Sequence, residues 1–198
     1  MIKITDILDV EKHLDGIEAV VFDLDDTLYS EKDYVRSGFR AAAPDRADEL
    51  WKAFLDGKPA FDTVMPEQKE QALATYRTHK PNISLYPGVR EMLLRIKENG
   101  RKLGMITDGR PEGQRAKIEA LGIEDLFDKI IITDELGGVQ FRKPCDKAFR
   151  LMQEVLEVPF EKMVYIGDNL KKDFVAPEQL DMWAIWFENK EGLYREKR

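Results

Sequence analysis

Short apolar runs alternate along the chain with stretches of helical hydrophobic spacing. Such runs predict a strand that begins the segment 19–28, and strands over 101–107, 129–132, 163–167 and 182–187. The stretches between them predict helices over 88–99, from Pro111 to Gly122, and from near Asp146 onward. Strands that alternate with helices are typical of a parallel sheet with helices on both faces. The pattern therefore predicts an α/β fold with a doubly wound parallel sheet.

Residues 31–80 depart from this alternation. They are polar and predict short helices near 31–42, 45–56 and 66–79, separated by breaks at Pro44, 56–59 and Pro66. Apolar side chains at helical spacing within them indicate a small packed face. We therefore predict an all-helical cap over 30–83, inserted into an α/β core made of 1–29 and 84–198. The charged stretch 188–198 is expected to be loosely held.

Composition limits the class of protein. A chain of 198 residues with 43% hydrophobic content can bury one core and a modest insertion. Its 31 basic and 38 acidic residues give a net charge of −7, which argues against nucleic acid and anionic membranes as partners. The first residues lack a signal-peptide pattern, and no apolar run approaches membrane-spanning length. We expect a cytoplasmic protein, as a monomer or weak homodimer.

Cysteine chemistry contributes little to this picture. The single cysteine, Cys145, excludes an internal disulfide and fits a reducing compartment. A nucleophilic thiol needs a base, and the two histidines, His13 and His79, lie in segments without a catalytic pattern. We therefore interpret Cys145 as an ordinary residue near a helix start.

The first predicted strand ends abruptly in carboxylates. Asp23 and Asp25 lie two residues apart, so both point the same way if the backbone stays extended. Ligands of open α/β sheets bind at the carboxyl ends of strands. Carboxylates crowded at such a place repel one another unless a cation lies among them or one keeps its proton. This arrangement predicts a metal site, an acid/base group, or both.

Further polar residues follow other apolar strands. Thr107 precedes Asp108 and Gly109, Lys143 lies just before a helix, and Gly167 leads into Asp168 and Asp173. A hydroxyl and nearby backbone N–H groups at Thr107 could hold an anion. Taken singly, Lys143 is typical of a surface residue, and either aspartate is typical of a helix cap.

Taken together, these motifs resemble the haloacid dehalogenase superfamily. Its signature is Asp-x-Asp-x-Thr, then Ser or Thr, then Lys, then Gly-Asp with a further acid. The chain has Asp23-Leu-Asp25-Asp-Thr27, Thr107, Lys143, and Gly167-Asp168 with Asp173, in that order. The resemblance spans nearly the whole chain, and the predicted insertion matches members whose cap lies between the first two motifs.

The resemblance implies a phosphatase that works through an aspartyl-phosphate. Asp23 would attack phosphorus, and Asp25 would protonate the leaving oxygen and later activate water. Mg²⁺ would be held by Asp23, the main-chain carbonyl of Asp25, and Asp168. Thr107 and Lys143 would bind the phosphoryl oxygens. Asp173 would orient Lys143 or a metal-bound water.

Other residues near these motifs have predicted supporting roles. The backbone of Asp26 is expected to help bind phosphate, and Thr27 to brace the loop. Many capped relatives have Asn where this chain has Asp108, so we expect Asp108 to face outward or bind a substrate hydroxyl. Candidates for substrate contact near the second motif are Gly109, Arg110 and Gln114; weaker ones in the cap are Arg36, Arg40, Trp51, Lys58, Arg77 and Lys80.

Asp25 favours a phosphate ester as the substrate, because dehalogenases and phosphonate hydrolases of the superfamily lack the second acid of the first motif. We predict a small phosphorylated metabolite. A sugar phosphomutase would use the same residues and stays open. A phospho-accepting signalling domain also pairs strand-end carboxylates with Thr and Lys, but it needs neither the insertion nor the Gly-Asp motif. A catalytically dead binding protein is disfavoured, because every expected reactive side chain is present.

Overall fold

A computed structural model describes residues 1–193, and within them a six-stranded parallel sheet forms the centre of the molecule. Its strands are β1 (Ile2–Ile4), β2 (Ala19–Phe22), β3 (Lys102–Thr107), β4 (Lys129–Ile132), β5 (Met163–Gly167) and β6 (Trp183–Phe187). They lie in the order β1-β6-β5-β2-β3-β4. The predicted doubly wound α/β sheet is confirmed.

Helices flank the sheet and also form the segment between β2 and β3. The inserted helices are α1 (Glu31–Ala42), α2 (Ala47–Leu55), α3 (Ala60–Val64) and α4 (Lys69–Thr78). The flanking helices are α5 (Val89–Glu98), α6 (Pro111–Leu121), α7 (Lys147–Leu156) and α8 (Val175–Gln179). Among residues 1–193, no helix is both long and apolar enough to cross a membrane.

Strand β2 is buried on both faces. Val20 and Phe22 pack into one hydrophobic cluster, and Ala19 and Val21 pack into the cluster on the opposite face. The side chains of an extended strand alternate in direction, so a continuous apolar run suits a strand that is covered on both sides. Its central position between β3 and β5 brings the ends of these strands together.

The inserted helices have their own hydrophobic cluster. Phe39 of α1 lies at its centre, with the rings of Phe54, Phe61 and Tyr76 at centroid distances of 5.5–6.0 Å. The helical nature of the segment agrees with the sequence. The boundaries at 30 and 83 stay a prediction.

The sequence-based prediction was wrong about several elements. It lacks β1, whose three residues are too few to show an alternating pattern but pair with β6 at the sheet edge. It also lacks α3, because only five residues fit between Pro59 and Met65. Pro44 and Pro66 begin single 3₁₀ turns, so α2 and α4 start at Ala47 and Lys69.

Residues 188–193 are not loosely held. The side-chain amide of Asn189 donates to the main-chain oxygen of Asp26 at 2.7 Å and to the Tyr86 hydroxyl at 2.8 Å. The backbone N–H of Leu193 donates to Asp26 Oδ2 at 2.6 Å. This segment therefore fastens the loop after β2. The rest of the predicted tail, 194–198, lies outside the described residues.

Candidate active site

A cavity of about 430 Å³ opens where β2, β3 and β5 end. Carboxylates and cations line it together: Asp23, Asp25, Asp26, Glu31, Asp108 and Asp168, with Arg142, Lys143 and Lys172. The carboxyl ends of adjacent parallel strands meet at one edge of a sheet, where α/β proteins bind ligands. The structure therefore brings the strand-end residues of the sequence into one polar site.

Asp23 continues β2 and is buried. Its backbone N–H donates to the Ile166 oxygen of β5 at 2.8 Å, which fixes the residue at the strand end. Asp23 Oδ1 accepts a hydrogen bond from the Lys143 ammonium at 2.8 Å. Burial raises the pKa of Asp23 to about 6, and the Lys143 charge limits that rise. Asp23 is thus mainly a carboxylate at neutral pH.

Lys143 is fully buried among acidic partners. Its ammonium lies 2.8 Å from both Asp23 Oδ1 and Asp173 Oδ1, and it also donates to the Tyr165 hydroxyl at 2.8 Å. Burial alone would lower its pKa, but the Asp173 and Asp23 charges keep the pKa well above its usual value. Lys143 is therefore a permanent cation beside the buried carboxylates.

Gly167 permits a close approach by Asp173. A Cβ at position 167 would lie 2.5 Å from Asp173 Oδ2, so a larger residue would push this carboxylate away. That oxygen accepts the backbone N–H of Asn169 at 2.9 Å. Glycine is therefore required before Asp168, because a side chain at position 167 would displace Asp173.

Asp23, Asp168 and Asp173 can offer oxygen atoms that lie within 4.8 Å of one another. Burial, followed by the charges of Asp23 and Asp173, raises the pKa of Asp168 to about 9. Carboxylate oxygens are the donors that Mg²⁺ prefers, and a divalent ion would offset their mutual repulsion. The cluster therefore fits a hard metal ion.

The Asp25 side chain is held differently. Its Oδ1 accepts hydrogen bonds from the Tyr29 hydroxyl and from the Lys117 ammonium, the latter at 2.7 Å. Its Oδ2 accepts from the Gln114 amide at 3.0 Å. Burial raises the pKa of Asp25, but Lys117 and these hydrogen bonds outweigh burial and lower it. Asp25 is therefore ionised here.

Several residues predicted to contact the ligand are already bound by groups within the protein. Asp108 does not face outward: its Oδ1 accepts from the Thr133 hydroxyl and the Lys143 N–H, and its Oδ2 lies 3.2 Å from Lys172 Nζ. The Lys172 charge offsets that of a carboxylate that would otherwise repel a phosphate. Gln114 is buried and donates to Thr107 Oγ1 at 2.5 Å, so neither group is open to a ligand in this conformation.

The remaining predicted residues lie in the loops after β2 and β3. Asp26 adopts a left-handed turn conformation with φ 54°, and its Oδ1 accepts the first N–H of α1 at 2.9 Å. Thr27 is buried, but its hydroxyl has no hydrogen-bond partner among the described residues, so it braces no neighbour through that group. Gly109 has a φ of 146°, and Arg110 is exposed at the start of α6.

None of the six cap candidates is among the described residues that line the cavity. Arg36, for example, places its guanidinium 4.4 Å from the Trp51 ring centroid, within the inserted segment. The cavity lining therefore gives no support to their predicted substrate contacts.

Sequence reasoning missed Lys117, Tyr29, Glu31 and Lys172. A signal for Lys117 exists, since it lies three residues after Gln114 and so shares its face of α6. Glu31 begins α1, and burial followed by the Asp25 charge raises its pKa to about 8. Its approach to the cavity depends on how the insertion packs, which no local pattern encodes.

Comparisons with known proteins agree with this geometry. Residues 17–181 match the family described as haloacid dehalogenase-like hydrolase. A glyceraldehyde 3-phosphate phosphatase of Methanocaldococcus jannaschii is 31% identical over 85% of this chain and 84% of its own. The corresponding Pyrococcus furiosus protein is 28% identical, covering 91% and 83%.

Solved structures show the same fold. A subfamily IA hydrolase of this superfamily from Geobacter sulfurreducens superposes with a TM-score of 0.69 at 14% identity, covering 91% of this chain and 90% of its own. At that identity the likeness concerns the fold alone.

Proposed function

The chain belongs to the haloacid dehalogenase-like hydrolases, and from this premise we propose that it hydrolyses a small phosphate monoester through an aspartyl-phosphate on Asp23. The observation that carries the proposal is the buried Asp23 at the end of β2, paired with Lys143 at 2.8 Å. Lys143 donates to Oδ1, and we propose that Oδ2 is the oxygen that attacks phosphorus. The bond from phosphorus to the leaving oxygen breaks in the same step.

Asp25 is the proposed acid and base. In the unliganded protein it is ionised, which suits the second step, in which it takes a proton from the attacking water. The negative charge of a bound phosphate would raise the pKa of Asp25 and so favour the protonated form that the first step needs. Asp25 would then give its proton to the leaving oxygen.

We propose Mg²⁺ as the metal, held by Asp23, Asp168 and the main-chain oxygen of Asp25. When bound, the metal would reduce the repulsion between the carboxylates and the phosphate. Lys143 already neutralises much of the charge on Asp23 and Asp173. Because the pKa of Asp168 is raised, its ionised form is the one that a bound cation would stabilise most directly.

Substrate size follows from the cavity and the relatives. A space of about 430 Å³ suits a small metabolite. The two phosphatases described above act, by their names, on glyceraldehyde 3-phosphate. We therefore place glyceraldehyde 3-phosphate first among the substrates to be tested.

Phosphate release from a panel of small phosphate esters tests the proposal. Protein treated with a chelator should be inactive and should recover with Mg²⁺. Asp23→Asn should abolish turnover, because the amide keeps the shape but is not a nucleophile, and the loss should exceed about 10³-fold. The exposed Asp15→Asn is the matched control and should keep wild-type activity.

The same assay separates the alternatives. Release of stoichiometric inorganic phosphate identifies a hydrolase, whereas isomerised sugar phosphate without release would identify a phosphomutase. Stable phosphorylation of the protein without turnover would identify a signalling domain. Full activity of the metal-free protein, or of Asp23→Asn, would refute the proposed mechanism.

A further inference from the structure

Lys117 is a buried cation that the proposed mechanism does not use. Only 6% of its side chain is exposed, yet it comes from the middle of α6 rather than from a strand end. Removing an ammonium from water is costly unless charged or polar partners surround it. What surrounds Lys117 should therefore indicate its purpose.

On one side, Lys117 contacts Asp25. Its Nζ lies 2.7 Å from Asp25 Oδ1, which also accepts the Tyr29 hydroxyl. Each carboxylate oxygen has two lone-pair sites, so these donors fill Oδ1. Oδ2 accepts Gln114 and, among the described residues, keeps one free site. The donors thus select Oδ2 as the oxygen that can carry the catalytic proton.

On its other side, Lys117 contacts the inserted helices. Its Nζ lies 4.3 Å from the ring centroid of Tyr34 in α1, a cation–π distance. The Tyr34 ring in turn packs against His79, at a centroid distance of 5.1 Å, and against Tyr76. One ammonium group therefore lies between the core carboxylate and the aromatic side chains of the insertion.

We propose that Lys117 is a positioning residue that orients Asp25 for proton transfer and links that orientation to helix α1 through Tyr34. This inference rests on the proposed acid/base role of Asp25. Loss of the ammonium leaves Oδ1 held by the Tyr29 hydroxyl alone, so the carboxyl group can rotate and offer the wrong oxygen to the substrate. A rearrangement of α1 that moves Tyr34 would act on Asp25 by the same route.

Leaving-group dependence tests this role. An alkyl phosphate needs a proton on its leaving oxygen, whereas p-nitrophenolate leaves without one. Lys117→Met should lower kcat about 10–100-fold on the alkyl ester and only a few-fold on p-nitrophenyl phosphate. Lys117→Arg keeps a cation and should recover part of the loss. Lys162→Met, which removes an exposed ion pair with Glu18, is the matched control and should change neither rate.

Further variants test the coupling. In Asp25→Asn the carboxylate is already gone, so adding Lys117→Met should cost little more. Tyr34→Phe keeps the ring and should behave as wild type, whereas Tyr34→Ala should show a weaker form of the same leaving-group dependence. Each variant is first checked for cooperative unfolding. If Lys117→Met does not fold, the leaving-group dependence of the single variants Tyr34→Ala and Lys117→Arg tests the proposal instead.

The outcomes separate the two claims. If Asp25→Asn shows leaving-group dependence but folded Lys117 and Tyr34 variants lose activity equally on both esters, the inference about Lys117 is wrong and the proposed function stands. If Asp25→Asn itself shows no dependence, the acid/base role of Asp25 fails. Additive losses in the double variant would also overturn the positioning role.

Discussion

At the scale of single residues, Asp168 has an unusual acidity. Its pKa lies near 9 because it is buried close to Asp23 and Asp173, so it holds a proton at pH 7 in the metal-free protein. In the unfolded chain the pKa of Asp168 is 3.8, which is lower than its pKa in the folded protein. Between these two pH values the folded state therefore binds more protons than the unfolded state. The protonated Asp168 should therefore contribute stability to the metal-free protein that is lost as the pH rises from about 4 to about 9.

Metal binding should follow the same titration. A carboxylate must lose its proton to bind Mg²⁺, so the apparent affinity should rise between pH 6.5 and pH 8.5, by up to about tenfold per pH unit. Calorimetry in buffers of different ionisation enthalpy measures both the affinity and the protons released. Asp168→Asn should bind weakly and show a flatter pH dependence. A wild-type affinity that does not change with pH would contradict the prediction.

At the scale of elements, the contact between α1 and α4 depends on a glycine. A Cβ at Gly38 would overlap the Tyr76 ring and would lie 3.1 Å from the His79 ring. Alanine favours a helix by about 1 kcal/mol over glycine, but overpacking costs about 1–3 kcal/mol. The ring atoms of Tyr76 and His79 belong to a packed aromatic cluster, so the cost of overpacking should exceed the gain in helix propensity. Gly38→Ala should therefore lower the free energy of unfolding.

Gly113 provides the matched control within α6. A Cβ there would meet only the Tyr34 hydroxyl oxygen, at 3.6 Å, an ordinary contact. Gly113→Ala should leave stability unchanged or raise it by up to about 1 kcal/mol. Urea unfolding of both variants measures the difference. Equal effects in the two variants would show that the Tyr76 contact does not control the packing.

The elements also show what a sequence can predict. Asp23, Lys143 and Asp168 could be placed together because strand ends meet at one edge of a parallel sheet. Lys117 and Glu31 could not, since their positions depend on how the insertion packs on the core. The segment 188–193 looked like a free charged tail, and its polar side chains gave no sign of a partner more than 160 residues earlier, such as Asp26.

At the scale of the whole molecule, the segment 188–193 connects the end of the described chain to the loop after β2. Asn189 holds the loop that carries Asp25 and Asp26, so Asn189→Ala should lower both kcat and stability, the latter by about 1–3 kcal/mol. Activity assays and thermal unfolding measure the two effects. Asn99→Ala, at the exposed end of α5, is the control. An unchanged kcat would show that the loop keeps its place without Asn189.

The hydrogen bonds from Asn189 and Leu193 to Asp26 also have a consequence for biosynthesis. A ribosome makes the loop after β2 early and residues 189–193 some 163–167 residues later. Partly translated chains can pair β2 with β3, but their acidic loop still lacks this anchor. The nascent protein therefore acquires its finished loop only after residue 193 has left the exit tunnel, which delays the appearance of activity until that residue has emerged.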